Sequence, residues 1–446
     1  MCQGSVFKTV LLFALPVILA NVLQLAYNAA DLIVVSRYAG SNAMAAVGAT
    51  ASPTALMLNV FMGLSLGTSV LVSRAFGARD TEGMHKTVHT SILLAVLLGL
   101  FSCALGLVFA RPLLIWMGTP EGSVLDGAVL YMRIIFVGVP ASIVYNFGAA
   151  ILRAIGDTKR PLYILAVTGL VNVLLNLFFV IVCDMDVAGV AIATVVANYL
   201  SAIAVLAALI RTDGAYRLNI RTLKIYKDVL KEILRIGVPA GLQASVFALA
   251  NTVGQTAINS FGADTIKGAT AGNNLENFAN AAMNAFNQAV VTGVSQNYGA
   301  KNEKRINQYL TIPLLCSAIS GAVLGGLCVL FAHPLLGIYI TDSPGAIESG
   351  TTRLFFSALP YFLVGIMECI NGTIRGLGYS TIPTITNLVG ICGLRISWIL
   401  FVLPKFHYEE VLFAAWPISW VFVLVCHLIT LAIIKPRAMK KLREQA

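Results

Sequence analysis

The chain has 446 residues, of which 58% are hydrophobic and 11% charged. Soluble domains carry about 25% charged residues, so this composition excludes a soluble enzyme and points to the membrane. The net charge of +10 does not call for nucleic acid or another acidic partner, because membrane topology accounts for where the charges fall.

Apolar stretches of about 20 residues, enough to cross roughly 30 Å of hydrocarbon, recur along the whole chain. Twelve are expected, near 10–35, 44–73, 88–110, 128–152, 161–183, 187–210, 236–260, 268–296, 310–332, 350–374, 382–403 and 411–434. With the N-terminus inside, the inner segments hold 23 of the 30 Lys and Arg. The outer loops hold four: Arg37, Arg111, Lys267 and Lys405. This is the positive-inside bias, and an even span count puts both termini in the cytoplasm of a multi-pass cell (inner) membrane protein. The first apolar run is too long for a cleavable signal peptide. Seven of the eight cysteines lie in or beside apolar spans, with no CxxC pair, and read as packing residues.

In chain order, the second half repeats the first. Pro16 aligns with Pro239 and Asn28 with Asn251, while Ser73, Gly77 and Ala78 align with Ser295, Gly299 and Ala300. Further on, Arg133 and Pro140 match Arg353 and Pro360, and Arg153, Gly156 and Pro161 match Arg375, Gly378 and Pro383. The offset stays between 220 and 223. Six spans per half is an even number, so both halves enter from the same side. Parallel repeats of this kind are a transporter architecture, with substrate taken between the halves and exposed alternately to each side. The expected fold is therefore an all-α polytopic membrane protein of twelve transmembrane helices, arranged as two parallel pseudo-symmetric six-helix bundles (6+6). The expected divisions are an N-terminal lobe over 1–210, a basic cytoplasmic linker over 211–235, a C-terminal lobe over 236–434 and a basic cytoplasmic tail over 435–446. The linker pattern allows a short amphipathic helix.

Polar residues inside the spans carry the chemistry. In span 1, Asn21, Gln24, Asn28 and Asp31 are spaced 3, 4 and 3 and share one helix face. A carboxylate at this depth costs roughly 2.5–3.5 kcal/mol at a helix centre, so Asp31 is expected to be protonated, ion-bound or facing water. The second half has Gly254 in its place. Span 5 carries Asn172 and Asn176, and span 6 carries Thr194 and Asn198, each pair one turn apart. One carboxylate with amide and hydroxyl oxygens suits a proton or a hard monovalent cation, which makes Asp31, Asn172, Asn176 and Thr194 candidates for H⁺ or Na⁺ coupling. Hydrogen bonding between helices is the other reading of the same residues.

Span 8 repeats Asn273, Asn277, Asn280, Asn284 and Asn287 at 4, 3, 4 and 3, with Glu276 beside them. Five amides facing lipid would be prohibitively costly, so the stripe faces a partner helix or a wet cavity. With Asn251 and Gln255 of span 7, and Gln24 and Asn28 of span 1, these residues form the expected substrate-cavity set. In span 10, Glu368 shares a face with Asn371 and Arg375. Arg395, in mid-span 11, needs an acid, and Glu368 is its expected partner, either as a structural pair or as a proton-coupled gate. There is no P-loop, no HExxH and no glycine-rich dinucleotide loop. His85 and His89 share a helix face without a third ligand. No catalytic residue, metal or cofactor is expected beyond the coupling ion.

Taken together, these segments resemble the multidrug and toxic-compound extrusion (MATE) family, prokaryotic branch, along essentially the whole chain. The resemblance rests on Pro16 with Asp31 in span 1, on Gly77-Ala78-Arg79-Asp80 with its echo at 299–302, on the run from Arg153 to Pro161, and on the run from Arg375 to Pro383. It implies a V-shaped pair of six-helix bundles and export of cationic, amphipathic compounds in exchange for H⁺ or Na⁺. It also implies an ion site at Asp31, Asn172 and Thr194. The chain departs from the pattern at Asn176, where many relatives have a second acid, and near Phe247, where some relatives have another. The expected function is secondary active multidrug efflux by a monomer, with small cationic or amphipathic molecules and membrane lipids as partners. The alternative is a flippase of lipid-linked or amphipathic lipids. That activity calls for an Arg-rich cavity, whereas the spans here hold three acids and few candidate cavity cations.

Overall fold

The computed structural model describes residues 1–341 and 343–444, so the last two positions of the expected tail lie outside the described residues. Among the described residues all regular structure is helical. In chain order the helices are α1 Val6–Val34, α2 Gly40–Ala78, α3 Thr81–Trp116, α4 Ser123–Ala154, α5 Lys159–Leu177, α6 Asp186–Ile210, α7 Lys227–Asn259 and α8 Ala263–Gly299. They continue with α9 Glu303–Leu330, the short α10 Ala332–Gly337, α11 Pro344–Ser357, α12 Tyr361–Gly376, α13 Thr381–Asn387, the single-turn α14 Arg395–Ser397 and α15 Glu409–Glu444. Turns of π-helix extend α5 over Phe178–Val182 and link the pieces of span 11 over Leu388–Leu394 and Trp398–Val402.

Ten described helical stretches are long and apolar enough to cross a bilayer singly, and α11 with α12 forms an eleventh, bent by 42°. The twelfth is α8. Its 37 residues reach about 55 Å at 1.5 Å per residue, and its row of asparagines keeps its apolarity below that of the others. Prolines sit inside α1 (Pro16), α4 (Pro140) and α7 (Pro239). Within a membrane protein, neighbouring helices can re-satisfy the backbone groups a proline frees.

The two halves repeat in backbone detail. α2 ends on Arg79 in the left-handed region (φ 55°), and Asp80 then caps α3 by accepting from Gly83 N at 2.9 Å. The corresponding turn after α8 has Lys301 at φ 56°, and Asn302 caps α9 by accepting from Arg305 N at 3.1 Å. An Asx side chain at this position satisfies one of the orphan N–H groups that open a helix. Gly156 and Gly378 both have positive φ, at 97° and 95°. Ser73 Oγ donates to Ala154 O at 3.1 Å, and Ser295 Oγ donates to Gly376 O at 3.0 Å. These duplicated residues turn the chain and tie α2 to α4 in one half and α8 to α12 in the other.

The chain forms two compact units, Leu19–Gly241 and Met1–Ile18 with Leu242–Ala446. The contacts therefore do not divide at the 211–235 join. They divide inside α1 and α7, at equivalent places of the repeat. Packing explains this. The first turns of α1 bury Val6, Val10, Phe13 and Val17 in a core shared with Phe286, Val290 and Val294 of α8 and Ile370 and Ile374 of α12. The first turns of α7 lie against α2 so closely that a Cβ on Gly63 would stand 2.1 Å from Gly241 N. Only glycines permit that approach.

The 211–235 segment does not form a separate amphipathic helix. Residues 211–226 form a strap with one 3₁₀ turn, Ile220–Thr222, and residues 227–235 are the first turns of α7. Asn219 N donates to His89 Nε2 at 3.1 Å and Tyr226 N donates to Thr90 Oγ1 at 3.1 Å, which ties the strap to α3. His89 is fully buried and serves as an anchor for this strap.

Candidate ion-coupling site and polar faces

In the Leu19–Gly241 unit, α1 is seated on α5 through Tyr27. A Cβ on Gly169 would fall 1.9 Å from the Tyr27 ring, and the Tyr27 hydroxyl donates to Ala166 O at 3.0 Å. One turn beyond Tyr27 the helix presents Asp31, and Asn176 Nδ2 donates to Asp31 Oδ1. Asn176 is fully buried, and its Oδ1 has no partner. It lies just before the π-turn Phe178–Val182, a local irregularity of the kind often found at functional positions. Alongside, Asn172 Nδ2 donates to Thr194 Oγ1 at 3.4 Å, and Thr194 Oγ1 donates to Val190 O at 3.0 Å. One step along the same seam, Ser201 Oγ donates to Thr168 Oγ1 at 2.8 Å.

Asp31 thus meets Asn176, and Asn172 meets Thr194. Among the described residues no Lys or Arg forms an ion pair with Asp31. A carboxylate with an amide donor on one oxygen, an unpartnered amide oxygen nearby and no fixed cation is equipped to take a proton or a small cation. Gln24 and Asn28, on the same helix, are exposed and bonded to each other at 3.3 Å.

In the other unit the amide stripe is open. Asn273, Asn280 and Asn284 of α8 are exposed, and Asn277 and Asn287 are half-buried. Asn251 and Gln255 of α7 are exposed, with Gln255 Nε2 donating to Asn259 Oδ1 at 2.9 Å.

Glu276 departs from the expectation that it lines this face. It is buried behind the face at 7% exposure, where Arg353 clamps it. Arg353 Nε donates to Oε1 at 3.0 Å and Nη2 to Oε2 at 3.1 Å, while Ser357 Oγ donates to the same carboxylate. Arg353 Nη2 also reaches Asn273 Oδ1 at 3.2 Å. Fork-to-fork pairing of this kind is the strongest geometry open to two buried ions.

The expected pair of Glu368 with Arg395 does not form. Glu368, on α12, faces α8 and accepts from Asn287 Nδ2. Arg395, on α14, faces α15, donates to Ser419 Oγ at 3.2 Å and lies 4.8 Å from the Trp416 ring centroid. The two side chains pack on different helices, α8 and α15, and among the described residues no ion pair joins them. Trp416 also lies 5.8 Å from the Arg353 guanidinium, so one indole ring serves two buried cations.

A second polar group lies partly outside the set expected from the sequence. Arg375, which shares a helix face with Glu368 and Asn371, gives Nη2 to Gln243 Oε1 at 2.8 Å. Asn371, Asn387 and His427 are also fully buried, and none of their side-chain polar atoms has a well-formed hydrogen bond. The His427 ring lies beside the carbonyls of Met367 and Pro383. His427 and Asn387, on α15 and α13, carry no spacing signal that would have picked them out. Among the described residues no group of three or more His, Cys, Asp and Glu is placed to hold a metal.

Two helical units on one repeated plan, with charged and amide side chains set inside apolar helices, define a multi-pass membrane transporter of the duplicated-bundle class. The MatE family model matches the chain twice, over residues 16–178 and 239–399. The two matches open on the aligned Pro16 and Pro239, and the chain belongs to this family.

The chain is 27% identical over 420 residues to the "Probable multidrug resistance protein YoeA" of Bacillus subtilis (strain 168), covering 92% of this chain and 89% of that one. It is 23% identical over 402 residues to the "Multidrug export protein MepA" of Staphylococcus aureus (strain NCTC 8325), covering 90% of this chain and 88% of that one. In fold it superposes on a MATE protein crystallised in complex with MaL6, with a TM-score of 0.90, 20% identity and coverage of 99% and 98% of the two chains. An outward-facing multidrug resistance MATE transporter of the MOP superfamily aligns with a TM-score of 0.88, 22% identity and the same coverage.

Proposed function

We propose that the protein is a secondary active antiporter that exports cationic, amphipathic compounds against entry of H⁺ or Na⁺. The observation that carries this reading is the Asp31–Asn176 contact. It places an acid without a fixed counter-cation inside an apolar unit, held by a neutral donor on a second helix. The coupling ion occupies Asp31, with Asn176, Asn172 and Thr194 as neighbouring polar groups. The drug cation and the ion favour different states of the protein, as coupling requires. Inward movement of one positive charge releases about 2.3 kcal/mol per 100 mV of membrane potential. The termini lie in the cytoplasm, and the open amides of α7 and α8 serve the substrate path.

The names of the relatives support multidrug export, and the composition of the polar faces disfavours the flippase reading. Arg353 is spent on Glu276, and Arg395 on Trp416 and Ser419, so neither offers itself as a free cation for a diphosphate head group. The test is uptake of a cationic dye into proteoliposomes with pH and Na⁺ gradients imposed separately, comparing wild type with Asp31→Asn. Gradient-driven transport in the wild type and its loss in Asp31→Asn are expected. A variant that retains full coupling removes Asp31 from the mechanism.

A further inference from the structure

We infer that the groove between the ends of α9 and α15 is a binding site for an anionic phospholipid. The groove encloses about 600 Å³, within the range of ligand sites in general. Its two ends differ in chemistry. One wall carries Leu428 and Leu431 of α15, and the far end carries Lys435, Lys440 and Arg443 of the same helix, with Glu303 opening α9 across from them.

The change in chemistry follows from length. α15 has 36 residues, about 54 Å, against roughly 30 Å of hydrocarbon. Leu428 and Leu431 therefore stand at acyl-chain depth, and the basic turns stand at the headgroup level. Under the topology proposed above, that level is the cytoplasmic leaflet, whose lipids are the anionic ones.

The charge balance selects the ligand. Arg443 is already committed to Glu303, with Nε and Nη2 donating to the carboxylate at 3.1 and 2.9 Å. Lys440 has only a 4.0 Å contact to Glu444, with both side chains exposed. Lys435 has no acidic partner among the described residues. The groove is left with two cations and no unpaired acid. A soluble anion would make no use of the leucines, and a soluble peptide would not reach them in a bilayer. A lipid with a negatively charged head group uses both ends at once.

The test is native mass spectrometry of the full-length protein, delipidated and then given phosphatidylglycerol or phosphatidylcholine. The wild type should retain phosphatidylglycerol about tenfold or more over phosphatidylcholine. The double variant Lys435→Gln/Lys440→Gln should lose that preference while its unfolding temperature in detergent alone stays the same. Equal retention of the two lipids, an undiminished preference in the double variant, or full displacement of phosphatidylglycerol by inorganic phosphate overturns the proposal. Should the double variant not fold, photoactivatable phosphatidylglycerol on the wild-type protein decides the matter. Labelling of the 428–439 peptide supports the site, and labelling confined to other peptides overturns it.

Discussion

Asn176 on α5 donates its side-chain N–H to the carboxylate of Asp31 on α1, and its own carbonyl oxygen is left buried without a partner. The amide therefore both orients the acid and keeps an acceptor beside it. A hydrogen bond to a charged group is worth about 1.5–3 kcal/mol. Asn176→Leu is expected to weaken coupling-ion affinity by about tenfold or more, read as the ion concentration giving half-maximal transport in proteoliposomes. Binding of a fluorescent substrate without a gradient should change much less.

The seat of Asp31 is also open to test through Gly169. An added methyl there meets the Tyr27 ring, and overpacking of this kind costs about 1–3 kcal/mol. Gly169→Ala is expected to lower both the unfolding temperature and coupled transport. Adding Tyr27→Ala should recover part of the lost stability, which a melting series on the two single variants and the double variant will show.

Glu276 and Arg353 form a buried pair in which each ion depends on the other. Removing one partner of such a pair costs about 3–5 kcal/mol, while replacing both with apolar groups is far milder. Arg353→Met is therefore expected to destabilise strongly, and Glu276→Leu with Arg353→Met to destabilise less than Arg353→Met alone. Thermal unfolding of the four proteins gives the cycle directly, and additive losses would contradict a mutually dependent pair.

Asn387 is fully buried, and neither of its side-chain polar atoms has a partner. A buried unsatisfied polar group carries a desolvation cost of about 1–3 kcal/mol. Asn387→Leu is expected to raise the unfolding temperature by a few degrees. A fall of similar size would show that this amide is satisfied by a group bound from outside the chain.

Much of the architecture is legible in the sequence, because the features that write it are local and repeated. Apolar runs set the spans, and the aligned Pro16 and Pro239 open the two family matches. The paired turns at Arg79-Asp80 and Lys301-Asn302 explain why those segments stayed alike. The face arithmetic of α1 and α5 also put Asp31, Asn172 and Asn176 among the candidates that the structure brings into contact with neighbours.

Pairings across helices are less legible. Glu276, Arg353, Glu368 and Arg395 are all visible as charges in apolar segments. Which of them meet depends on helix rotation, and span spacing does not encode that. The π-turns before and after Arg395 shift the register on which any face count relies. Glu276 also looked like part of the asparagine stripe, since it adjoins Asn277 in sequence. One residue turns a helix by about 100°, enough to carry it from the open face to the buried one.

The placement of Met1–Ile18 with Leu242–Ala446 bears on how the polypeptide can be divided. A break engineered in the 211–226 strap would leave the opening turns of α1 on one fragment and their packing partners, among them Phe286 and Ile374, on the other. Each half made alone would expose an apolar surface that its own residues cannot cover, and α7 would leave its glycine-lined seat on α2 empty in the same way. Fragments split there are expected to be recovered only when synthesised together, so the gene duplication that produced the repeat also bound its two products into an obligate partnership.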